Sequence, residues 1–287
     1  MRRLVGFVVI GMFLAAAGVA IAAAYFTLFD SSGSSKEQTT GGPTATLTPG
    51  TPQTTVECAT PVLTDTIRSR LAPPSAGPRA VIIDEASLTA PNPAFAEAAM
   101  ALLQQAGYVV DYYAGGDVTV DFFRNLPAQN YGFIIFRGHS VAFFDNLVLF
   151  TDEPYSKDAH VDDQRSGRLV EVHWNAECID EPRFFGIMPE FIENLDGGFD
   201  GATVLITGCW GLDPNTTAAA FVKKGAGVVV GWDGLVLANH TDAATERLLQ
   251  HLLVDRLPAS EAVGRTMAEI GPDPEYGSTL GVYPAEE

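Results

Sequence analysis

Residues 201–234 read GATVLITGCWGLDPNTTAAAFVKKGAGVVVGWDG. Ala202–Thr207 and Val228–Trp232 are short, continuous apolar runs bounded by glycines. That is the pattern of strands buried on both faces of a parallel sheet. Between them, Thr216 to Lys224 has the composition and length of a covering helix. Cys209 falls just past the carboxyl end of the first strand, where open α/β sheets place their ligands. An earlier apolar run, Gly132–Arg137, ends in the same way, in Gly138-His139-Ser140.

Working outward, Ala80–Ile83 reads as a short buried strand. Asn92-Pro93 is a helix start, a capping residue followed by proline in the first turn. Phe95, Ala99, Leu102, Leu103 and Ala106 then share one helical face, and Gly107 ends the helix. Tyr108–Tyr113 is a second strand and Thr119 to Leu126 a second helix, before Gly132–Arg137. Alternating strand and helix predicts a parallel sheet with right-handed crossovers. From 141 to 198 the alternation breaks. Asn146–Phe150 and Leu169–His173 are expected to form an inserted hairpin around a polar loop, Asp152 to Arg168, and Phe184–Leu195 to return towards the sheet. Helices are predicted over Thr241–Asp255 and Ser260–Ile270, followed by a turn-rich segment with an exposed acidic tail. The expected fold is an α/β three-layer sandwich with a mostly parallel sheet, occupying residues 79–287.

The N-terminal part is different in kind. Met1-Arg2-Arg3 precedes an almost unbroken apolar run from Leu4 to Phe29, long enough to cross a hydrocarbon core as a helix. A cleaved signal peptide with a site at Ala20-Ile21-Ala22 is one reading. The run continues past that site, which favours an uncleaved anchor over residues 1–29, with the N-terminus cytoplasmic and the remainder outside at the cell membrane. Residues 30–60 are rich in Ser, Thr, Gly and Pro and form a flexible tether. Residues 61–78 connect it to the domain, with a short helix expected up to Leu71. A formal net charge of -18 argues against nucleic acid and anionic membrane surfaces as partners. The three cysteines, Cys58, Cys178 and Cys209, form neither a disulfide scaffold nor a zinc module, because no CxxC occurs. Cys58 and Cys178 are free to pair in an oxidising compartment.

His139 and Cys209 are the main functional signal. A thiol attacks a carbonyl as thiolate and needs a base, and a histidine supplies one and later protonates the leaving amine. Two neighbouring strand ends would bring them together above the sheet edge; the plain alternative is a buried inert thiol and a hydrogen-bonded loop histidine. With GFIIFRGHS, VLITGCWG and AAAFVKKGAGVVVGWDG, the chain resembles the caspase-like (clan CD) cysteine peptidases, which include caspases, gingipains, clostripain, separase and CHAT-type domains, and most nearly the gingipain/CHAT-type branch. The resemblance implies a peptidase with Cys209 as nucleophile and His139 as acid/base. It also implies an oxyanion hole from backbone N–H groups around Gly138, Ser140 and Gly208. The family usually has glycine directly after the histidine, where this chain has Ser140. Thr207, two positions before the cysteine, supplies none of the acid found there in relatives that cut after Arg or Lys. Asp233 is a candidate to favour a basic residue, or a cap, and Trp210 and Trp232 are candidates to line an apolar subsite. The expected partner is a peptide or protein substrate, with no metal or organic cofactor. The alternative is a catalytically inactive surface binding or scaffold module.

Other patterns carry less. Gly225-Ala226-Gly227 and Gly231 follow a helix and precede a strand, the wrong order for a dinucleotide site. His160, Asp162, Asp163, His173 and Cys178 lack metal-ligand spacing and read as a solvated loop. Asp152 and Glu153 are either substrate contacts or simply exposed. Asn215 and Asn239 begin glycosylation patterns, with helix capping the simpler reading. GxSxG is absent, which excludes that serine hydrolase signature.

Overall fold

The computed structural model describes residues 68–72, 77–174 and 182–284. In chain order the elements are β1 (Arg79–Asp84), α1 (Pro93–Gln105), β2 (Val109–Ala114), α2 (Val120–Arg124), β3 (Tyr131–Arg137), β4 (Ser140–Phe143), β5 (Asn146–Pro154), α3 (Val161–Arg165), β6 (Leu169–Val172), β7 (Phe184–Ile187), α4 (Pro189–Glu193), β8 (Thr203–Ile206), α5 (Thr216–Lys223), β9 (Val228–Trp232), α6 (Ala238–Leu249), α7 (Ala259–Ile270) and β10 (Leu280–Tyr283). The main sheet is six-stranded, in the order β10-β9-β8-β3-β1-β2. All its pairs are parallel except β10 with β9.

Its strands are apolar on both sides because both sides are covered. Val81 and Ile83 face one core with Ile134, Phe136, Val204 and Val229, while Ala80 and Ile82 face another with Ile135, Leu205 and Val230. Helices α1, α6 and α7 cover the second of these faces. On the first, short helices share the layer with a second sheet, whose Leu147, Leu149, Phe185 and Ile187 pack into the same core as Phe123, Phe191 and Phe221. The strand order turns back between β1 and β3, so the carboxyl ends of those two strands border the topological switch point.

Four expectations are corrected. The sheet is mixed, since residues expected to form only a turn-rich tail supply β10, which pairs antiparallel with β9. The inserted segment is a four-stranded antiparallel sheet, β4-β5-β7-β6, and not a hairpin. β5 and β6 do not pair; β7 lies between them, and Gly186 makes room, because a Cβ there would sit 2.6 Å from both Val148 and Val172 side chains. No transmembrane helix is found: among the described residues no helix is long and apolar enough to cross a membrane. α1, with 13 residues, falls short of the roughly 20 that a span requires. Residues 1–29, the tether, Cys58 and Cys178 lie outside the described residues. Finally, the described part of the connecting segment is extended rather than helical. Arg70 bridges Tyr112 and Ser69 Oγ accepts from Ala114 N–H, so this segment covers the β2 edge.

Capping follows the sequence in one place and not in another. Asn92 accepts from Phe95 N–H at the start of α1. Asn215 occupies the cap position of α5 without a side-chain bond, and Asn239 lies inside the first turn of α6.

Candidate active site

The carboxyl ends of β3 and β8 meet directly. Thr207 N–H donates to Phe136 O at 2.9 Å, and Ser140 Oγ–H donates to Cys209 O at 2.5 Å. The approach is so close that a Cβ on Gly208 would overlap the Gly138 carbonyl oxygen. Gly138 is equally constrained, since a Cβ would lie 2.6 Å from the Phe136 ring and 2.8 Å from Glu85 Oε2. The glycines beside His139 and Cys209 are therefore packing requirements of adjoining strand ends.

His139 and Cys209 flank this contact, and each is engaged with its own surroundings. His139 is 2% exposed, with its ring 5.9 Å from Phe150 and 6.1 Å from Trp174, both carried by the second-sheet region. Its Nε2 is hydrogen-bonded to Thr89 Oγ1 at 2.6 Å, and its backbone N–H donates to Glu85 Oε2 at 2.5 Å. Burial, helped by the Arg137 cation, pushes its pKa down to about 3, so the ring is neutral at physiological pH. Cys209 is 3% exposed and its thiol donates to Val236 O at 3.8 Å. Burial, with the Asp273 carboxylate adding to it, pushes the thiol up to about 11. Near neutral pH both groups are thus neutral, a thiol and an imidazole.

A buried ionic network fixes the rim. Arg137 Nε and Nη2 grip the two Asp242 oxygens at 2.7 and 2.8 Å, Nη1 donates to Asp84 Oδ1 at 2.6 Å, and Nη2 also donates to Ala90 O at 2.7 Å. Tyr112 O–H donates to the other Asp84 oxygen. Asn92, the α1 cap, donates to Asp242 through its amide. Five parts of the chain (β1, β2, β3, the start of α1, and α6) are tied by one guanidinium and its carboxylates. Such a network costs desolvation but is strongly destabilising to break.

The remaining candidates fall as follows. Of the N–H groups around the expected oxyanion hole, that of His139 is taken by Glu85 and that of Trp210 donates to Gly234 O. Asp233 is exposed, and both its oxygens accept from Thr279, tying β9 to the segment before β10. Trp232 is fully buried, with its indole N–H donating to Thr241 Oγ1 at 2.9 Å. Trp210 is partly buried at a left-handed backbone position, φ +61°, beside Cys209. Asp152 is buried, whereas Glu153 accepts from Val120 N–H and pairs with His160. Asp163 pairs with Arg124 and Arg168. Among the described residues no group of three or more His, Cys, Asp or Glu is arranged to hold a metal ion.

Sequence reasoning missed Thr89, Glu85 and Arg137. The signal available was an acidic pair, Asp84-Glu85, directly after a buried strand, and an arginine directly before Gly138-His139.

No protein-family model matches the chain, and no curated protein matches it. Among solved structures the chain is similar to the separase–securin complex of Saccharomyces cerevisiae, with 13% identity and a TM-score of 0.41 over 72% of this chain and 11% of that chain. Separase is a caspase-like cysteine peptidase, and the gingipain/CHAT-type branch gains no support. A likeness at this level assigns no activity, and the chain spans only a small part of that chain's length.

Proposed function

We propose that the domain is a cysteine-dependent peptidase in which Cys209 is the nucleophile and His139 the acid/base. The observation that carries this reading is the contact between strand ends, Ser140 Oγ–H to Cys209 O at 2.5 Å, which sets the two residues on either side of one sheet-edge junction. On substrate binding, His139 takes the thiol proton and the thiolate attacks the carbonyl carbon. The C–N bond breaks as the imidazolium protonates the leaving amine, and water then cleaves the thioester. Burial makes the thiol hold its proton far more tightly than the imidazole would, so transfer is disfavoured while both side chains stay buried.

A second reading, a non-catalytic binding or scaffold module, is favoured by a separate observation. Both side chains are almost wholly buried, and the thiol is bound to the Val236 carbonyl.

Labelling of the full chain with an electrophilic thiol probe near neutral pH, mapped to Cys209 by peptide analysis, separates the two. The peptidase reading expects labelling that falls at least about 100-fold in His139→Ala, the lower range for losing a general base. Slow labelling indifferent to His139 would leave the binding-module reading in its place.

A further inference from the structure

A short strap closes over Cys209. Residues 233–237 run irregularly from the carboxyl end of β9 to the start of α6. Val236 is buried in the same core as Cys209, and its carbonyl accepts from the thiol. Gly234 O accepts from Trp210 N–H at 2.8 Å, so the strap is bonded to the cysteine turn at a second point. A second loop, residues 271–279 between α7 and β10, holds the strap from outside. Asp233 N–H donates to Thr279 O at 3.0 Å, and the Asp233 carboxylate accepts from Thr279 N–H and Oγ1–H, both at 2.7 Å. Ser278 Oγ–H donates to Leu235 O at 2.6 Å, and a Cβ on Gly234 would lie 2.6 Å from that same Oγ. Leu237, at the cap position of α6, makes no side-chain cap bond, and its N–H donates instead to Asp273 Oδ2 at 2.8 Å. The buried Asp273 thus places an anion at the start of α6, where the helix dipole favours one. Its other oxygen accepts from Glu275 and Tyr276 N–H, both at 2.9 Å, and its N–H donates to Ser278 O, so the loop holds its own shape.

We propose that residues 271–279 are a latch that keeps the 233–237 strap shut over Cys209, and that lifting this latch uncovers the thiol while the parallel sheet stays folded. The bonds that would break join loop to loop, so their loss leaves the pairing of β8 with β3 and β9 untouched. The latch is bounded on one side by β10, four residues long at the sheet edge, and such segments open at a lower free energy than central strands. Opening also returns water to the sulfur and removes the burial that makes the thiol hold its proton. The latch does not depend on Cys209 being a nucleophile: it governs access to the sulfur, whatever the sulfur then does.

The rate at which iodoacetamide alkylates Cys209 in the full chain, followed at one pH by peptide mapping, reads the latch. In the wild type that rate should be nearly flat in urea below the unfolding transition, because a local opening exposes little surface. Ser278→Ala removes the bond to Leu235 O and should raise the rate at least about threefold, the effect of one neutral hydrogen bond. Asp273→Ala removes a carboxylate that accepts from Leu237, Glu275 and Tyr276 N–H and should raise it at least about tenfold, the effect of hydrogen bonds to a charged group. Ser278→Ala serves by itself if Asp273→Ala does not fold. Thr151→Val, which removes a buried hydrogen bond to Phe185 O within the second sheet, is the control and should leave the rate within about twofold of wild type. A wild-type rate in Ser278→Ala, an equal rise in Thr151→Val, or a wild-type rate that climbs with urea in step with global unfolding overturns the proposal.

Discussion

Gly208 leaves no space for a side chain, because the Gly138 carbonyl and Ser140 Oγ occupy the position a Cβ would take. Gly208→Ala must push β8 away from β3 at the Cys209 junction and should cost about 1–3 kcal/mol, the range for overpacking. Gly116→Ala is the control: nothing lies within 4 Å of its Cβ position, and the change should stay within about 0.5 kcal/mol. Urea denaturation of both variants checks the pair, and an unchanged midpoint for Gly208→Ala would contradict the described contact. At this scale, the glycines beside His139 and Cys209 were visible in the sequence. The partners of those residues were not, since Thr89, Glu85 and Val236 are brought to them by distant segments.

Among the elements, α5 shows how the second sheet is held. Thr216 Oγ1 accepts from Leu147 N–H at 3.0 Å and Thr217 Oγ1–H donates to Leu147 O at 2.7 Å, so the helix start grips both backbone groups at the beginning of β5. α7 illustrates local propensity instead. Gly264 is exposed in mid-helix, has no left-handed backbone requirement, and has open space at its Cβ position. Gly264→Ala should therefore stabilise the domain by about 0.5–1 kcal/mol through reduced chain entropy. Thermal melts of the two forms measure this, and a lower melting temperature for the alanine form would mean that α7 bears a constraint not seen in its packing. The helices and the parallel strands were readable because their periods of 3.6 and 2 are written in local apolar spacing. The pairing of the second sheet was not, because strand order is set by contacts between distant segments: β7 lies between β5 and β6, where Gly186 leaves room for the Val148 and Val172 side chains.

For the whole molecule, buried ionisable groups set the pH range of stability. Glu85 is raised by burial from 4.5 to about 8, so its contribution is complete below about pH 4.5 and is lost as pH rises towards 8. His139 is lowered from 6.5 to about 3, so its contribution is present above 6.5 and lost as pH falls through that window. Asp163, held below its ordinary value by Arg168 and Arg124 against the opposing effect of burial, adds to the loss in acid. The melting temperature should therefore be highest between about pH 4.5 and 6.5 and fall on both sides. Calorimetry across that range tests it, and stability still rising at pH 8 would contradict the upward shift that burial gives Glu85. By itself, the sequence determined the α/β class, the positions of the five parallel strands, and the placement of one histidine and one cysteine each at a strand end, because apolar period and glycine context are local properties. Tertiary structure alone decided that the terminal segment closes the sheet, that the insertion forms a sheet of its own, and that both candidate catalytic groups rest buried and neutral. Each of those depends on which distant surfaces exclude water together, and a charge's protonation state follows from that exclusion.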